Sequence, residues 1–80
     1  MNKRFVTEML GWYGVAAILL AYAGVSFGLL NSASNLYQVL NLTGALGVLV
    51  DALSQKNFQP AVLNLVWATV ALVSLVNSFL

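Results

Sequence analysis

Met9-Leu-Gly-Trp-Tyr-Gly-Val-Ala-Ala-Ile-Leu-Leu-Ala-Tyr-Ala-Gly-Val-Ser-Phe-Gly-Leu-Leu30 is a run of 22 residues without one formal charge. Wound as a helix at 1.5 Å per residue, it measures about 33 Å, enough to cross the roughly 30 Å hydrocarbon core of a bilayer. Two more apolar stretches follow. Leu36–Leu53 is the most polar, with Tyr37, Gln38, Asn41, Thr43 and Asp51, and Ala61–Leu80 carries no charge at all. The connector Asn31–Asn35 is rich in turn and cap formers, and Ser34 or Asn35 is placed to cap the second helix. The connector Ser54–Gln59 is polar and ends at Pro60, whose missing N–H costs nothing in the first turn of a helix. Irregular backbone cannot face lipid, and three strands cannot close a barrel. The expected fold is therefore all-α: a three-transmembrane-helix bundle in a single domain, 1–80, with helices about 9–30, 36–53 and 60–80.

Composition agrees. Of the 80 residues, 61% are hydrophobic and 6% charged, where an average soluble domain has about 25% charged. Mean hydropathy is +0.92. Only Lys3, Arg4, Glu8, Asp51 and Lys56 carry formal charge. So small a soluble domain exposes much of its surface and needs charge to stay dissolved, so a soluble fold is excluded. With no Cys and no His, thiolate chemistry, disulfides and His- or Cys-based metal sites are excluded too. The two carboxylates lie 42 uncharged residues apart, and three basic residues are too few for a nucleic-acid surface. The expectation is a protein that is not an enzyme, uses no cofactor or metal and binds no nucleic acid, with the lipid bilayer as its first partner.

Charge placement orients the chain. With three spans, Lys3, Arg4 and Lys56 fall on one side and no basic side chain on the other. The positive-inside rule then puts the N-terminus in the cytoplasm and the C-terminus in the periplasm, for a multi-pass protein of the inner membrane.

Each predicted helix has a small or polar stripe. Gly14, Ala17, Ala21, Gly24 and Gly28 recur at spacings of 3 and 4 along the first, ending in Gly24-x-x-x-Gly28, a pattern that lets helix backbones approach closely. The stripe is expected to pack against protein, either within one chain or between subunits. Tyr37, Asn41, Gly44, Val48 and Asp51 share a face of the second helix; Asn64, Trp67, Ala71, Ser74 and Ser78 share one on the third. Three such stripes imply a bundle.

Single residues divide by depth. Asp51 lies two residues from a helix end, where it reaches water or pairs with Lys56, and Glu8 is a solvated flank. Trp12 and Tyr13 occupy aromatic-belt positions at the cytoplasmic end of the first helix. Trp67 is seven residues inside its helix and Asn64 is one turn away on the same face, so the pair lines a cavity or fills core volume. Asn41 suits interhelical hydrogen bonding, and Tyr22 is one of the few polar groups of the middle layer.

Gly11-Trp12-Tyr13-Gly14, Tyr22, Tyr37-Gln38-x-Leu40-Asn41-Leu42-x-Gly44-Ala45, Pro60 and Leu63-Asn64-x-x-Trp67 together resemble a family of small uncharacterised bacterial inner-membrane proteins, over nearly the whole chain. In layout the sequence is also similar to the SemiSWEET (PQ-loop, MtN3-like) sugar transporters, in which one three-helix unit dimerises around a central substrate path. That resemblance places Asn64, shortly after Pro60, near the position of a substrate-binding Asn. It departs from them in the first helix, where Ala21–Gly28 has no counterpart of their hinge Pro-Gln pair. The resemblance implies a homo-oligomeric, dimeric half-unit of a small-molecule, sugar-like permease, with Asn64, Trp67, Asn41 and Tyr22 as substrate-path candidates. The other expectation is a structural or accessory subunit of a larger membrane complex, with no substrate path.

Overall fold

The computed structural model describes residues 3–31 and 34–80. It is all-α, with α1 Lys3–Ser26, α2 Asn35–Ser54 and α3 Phe58–Ser78 in chain order. All three are long and apolar enough to cross a membrane. The longest dimension is 37 Å, which covers the roughly 30 Å hydrocarbon thickness.

The helix ends are set by local chemistry. α1 is already helical at Lys3, ahead of the expected Met9, and there Arg4 and Glu8 stand one turn apart as an ion pair, Nε to Oε2 3.8 Å. It ends at Ser26 instead of Leu30, because Gly28 takes the left-handed conformation at φ +77°. The Gly28 N–H then donates to Val25 O at 3.1 Å and the Leu29 N–H to Gly24 O at 2.8 Å, a Schellman termination. Gly24-x-x-x-Gly28 is thus a stop signal, with the side chain of Leu30 folded back over Gly24. Ser34 caps α2, its Oγ accepting from the Tyr37 N–H at 3.2 Å, while Ser32 and Ala33 of the same connector lie outside the described residues. The end of α2 repeats the Schellman pattern with Lys56 at φ +56°, its N–H on Leu53 O at 3.0 Å and that of Asn57 on Ala52 O at 2.8 Å. Pro60 is the third residue of α3, where no intrahelical donor is lost.

The expected bundle is not closed. α2 packs against both neighbours, but no Cα of α1 lies within 8 Å of one in α3 among the described residues. The contacts run antiparallel along both flanks of α2. On one flank Gly14 lies beside Gly44, and Leu10 and Gly11 beside Gly47 and Asp51. On the other, Leu49 and Leu53 line one groove with Phe58, Ala61 and Val62 near one end, and Asn41 lines another with Val70 and Ala71 near the other.

The buried positions are nearly all Gly and Ala: Gly11, Gly14, Ala17 and Ala21 on α1; Gly44, Ala45, Gly47 and Ala52 on α2; Ala61, Ala68 and Ala71 on α3. No large side chain among the described residues is fully buried. A Cβ on Gly14 would run into the carbonyl oxygen of Gly44, and one on Gly47 would lie 2.5 Å from Leu10 O. The two backbones are in direct contact there, as small residues allow in membrane helices. Of the predicted α1 stripe, Gly14, Ala17 and Ala21 face α2, whereas Gly24 meets Leu30 and Gly28 lies beyond the helix. On α3 the buried stripe is Ala61, Asn64, Ala68 and Ala71, turned away from the expected one so that Trp67 stands 49% exposed.

Candidate functional site: a polar cleft between α2 and α3

Six residues of α2 and α3 enclose a cleft of about 270 Å³: Tyr37, Gln38, Asn41, Trp67, Val70 and Ala71. The first three come from the opening turns of α2, which Ser34 caps. The last three lie on the antiparallel face of α3. Two aromatic rings and two amides are thereby gathered in one groove that is open along one side, with no formally charged residue in its lining. Asn41 is only 9% exposed, and its Nδ2 donates to the Tyr37 carbonyl one turn back at 3.2 Å. The amide thus bonds to its own helix, not to a neighbouring one.

Asn64 and Trp67 do not share this cleft. Asn64 is 7% exposed against α2, and its Nδ2 donates to Pro60 O at 2.8 Å, again within its own helix. Six residues separate it from Val70, about 9 Å along the axis, so it sits inward of the groove that Trp67 helps to line. Tyr22 is 68% exposed on α1 and lines neither this cleft nor the one at the charged end.

The charged end has its own groove, of about 330 Å³, between α1 and α2, lined by Arg4, Glu8, Trp12, Val15, Asp51 and Gln55 together with Gly11 and Val48. Asp51 is not paired with Lys56. Its Oδ1 accepts from Gln55 Nε2 at 2.8 Å, one turn on, and its Oδ2 rests against α1 at Gly11, where a Cβ would collide with it. Lys56 itself ends the helix, with its backbone at φ +56°. Tyr13 reaches across to α2, with its hydroxyl 2.8 Å from Thr43 Oγ1. Thr43 places its own proton on Val39 O at 2.9 Å, so Tyr13 is the donor.

Of the four substrate-path candidates Asn64, Trp67, Asn41 and Tyr22, the cleft brings together Asn41 and Trp67, and it adds Gln38, to which the sequence assigns no role. The missing information was the rotation of α3 about its axis, which depends on what it packs against. Gly11 and Gly47 were also not assigned to packing, although Gly11-x-x-Gly14 and Gly44-x-x-Gly47 place two glycines on one face at i, i+3.

Three apolar helices zipped by Gly and Ala, with their large side chains turned outward, define a small all-α protein built to span a membrane. Residues 7–80 match the model of a family of uncharacterised proteins, and the chain belongs to that family. No curated protein and no solved structure matches it.

Proposed function

We propose that the protein is a half-unit of a small-molecule permease, and that its substrate surface is the cleft around Asn41 and Trp67. The lining chemistry supports this reading: amides at Gln38 and Asn41 and rings at Tyr37 and Trp67, gathered on segments that otherwise face hydrocarbon. A neutral polyhydroxyl solute suits such a surface, since rings cover its apolar faces and amides bond its hydroxyls. The groove is open along one side, so a second copy of the chain would close it, which favours a homodimer. Lys3, Arg4 and Lys56 at one end favour an inner-membrane orientation with that end cytoplasmic and the cleft in the outer half.

The test is uptake of a panel of neutral hexoses and polyols into proteoliposomes. Asn41→Ala and Trp67→Ala are expected to cut uptake about tenfold with little change in melting temperature, and Asn64→Ala to leave it close to wild type. Absence of flux for every solute, or wild-type flux in both cleft variants, would rule the permease reading out.

A second reading, an accessory subunit with no substrate path, is favoured by the outward-facing large apolar side chains, which include Trp12, Leu19, Leu20, Phe27 and Leu29. It expects a larger complex on gentle extraction, and disruption of that complex by polar substitutions on this surface.

A further inference from the structure

The groove at the charged end of α1 and α2 has the polarity profile of a phospholipid. Nearest the charged ends of the two helices it is lined by Arg4, Glu8, Asp51 and Gln55. One to two turns deeper along the same two helices it becomes apolar, at Trp12, Val15 and Val48. A polar stretch leading to an apolar one at a helix end is the order in which a headgroup leads to its acyl chains at a membrane interface.

The charges select the headgroup. Arg4 and Glu8 stand as an ion pair at 3.8 Å, so the lining's formal −1 is left on Asp51, which disfavours purely anionic lipids and favours a head that carries a cation. Arg4 complements the phosphodiester, while Glu8 and Asp51 complement an ammonium. Asp51 is held for this. Gln55 fixes one carboxylate oxygen at 2.8 Å, and the missing side chain of Gly11 lets the other lie against α1, so the group is braced across the groove. Hydrogen bonds to such a carboxylate need N–H donors, which a primary ammonium has and a trimethylammonium lacks.

We infer that this groove binds a phospholipid with a primary-amine headgroup, one per chain, with the ammonium on Asp51 and Glu8, the phosphate on Arg4 and an acyl chain along Trp12, Val15 and Val48. Neither the groove nor its ligand depends on transport.

The full-length protein is reconstituted in vesicles holding equal amounts of phosphatidylethanolamine, phosphatidylcholine and phosphatidylglycerol, extracted gently, and its retained lipid measured by native mass spectrometry. One phosphatidylethanolamine per chain is expected, preferred about tenfold over either competitor. Asp51→Asn keeps an acceptor for Gln55 but loses the charge, and should lower retention about tenfold at unchanged helicity. Should that variant fail to fold, Glu8→Gln, on the exposed face of α1, makes the same comparison, with a loss of the same sign. Equal retention of all three lipids by the wild type would overturn the inference. So would wild-type selectivity in the folded carboxylate variant.

Discussion

The phenolic hydroxyl of Tyr13 donates to Thr43 Oγ1 at 2.8 Å, and Thr43 in turn donates to Val39 O at 2.9 Å, a two-bond relay that ties α1 to α2. It joins two helices directly, whereas Asn41, Asn64 and Thr69 donate to carbonyls of their own helices. In hydrocarbon a hydroxyl without a partner is costly, so the pairing also settles where the Tyr13 side chain can lie. Tyr13→Phe and Thr43→Val are each expected to destabilise the α1–α2 pair by about 0.6–1 kcal/mol. A double-mutant cycle by steric trapping in bicelles should return a coupling of about 0.6 kcal/mol. Additive losses would mean that the two residues do not interact.

The glycines of α1 are not equivalent. Gly14→Leu drives a branched side chain into the Gly44 carbonyl and is expected to cost about 3 kcal/mol or to separate the helices outright. Gly28 has open space around it but a φ of +77°, so Gly28→Ala should cost about 1–2 kcal/mol through backbone strain alone. Gly28→Asn, which tolerates that conformation better, should recover part of the loss. Thermal unfolding in detergent separates the cases, and an equal response to Gly14→Leu and Gly28→Ala would contradict this assignment.

Lys56 ends α2 in a conformation that glycine adopts freely. Lys56→Gly should therefore stabilise the folded chain by about 1 kcal/mol. The same change removes one of only three basic side chains and weakens the orientation signal. The expected result is a raised melting temperature together with a larger fraction of inverted molecules in a topology assay. A lowered melting temperature would show that the Lys56 side chain, rather than its backbone, is what matters.

If all three helices cross the membrane, the basic side chains at the opposite end orient the chain so that a reporter fused after Leu80 is expected to be active only on the periplasmic side. Activity in the cytoplasm would refute either the number of crossings or the orientation.

The sequence by itself determined that this chain forms three helices, each long and apolar enough to span a membrane. Helix formation in lipid follows from uncharged length, and the start signals at Ser34 and Pro60 rest on local chemistry: a hydroxyl acceptor and a missing N–H. It also marked Gly14, Ala17 and Ala21 as a packing face, because small residues at helical spacing have few other uses. Only the tertiary structure decided which helix stands in the middle, and that Gly24 and Gly28 end a helix instead of joining two. It alone turned α3 so that Asn64 faces α2 and Trp67 joins Asn41. The physical reason is that each helix is apolar nearly all the way round, so hydrophobicity assigns it no inner face. Rotation and neighbours are then fixed by where backbones can touch, as at Gly14 and Gly44, and that is a property of two helices at once.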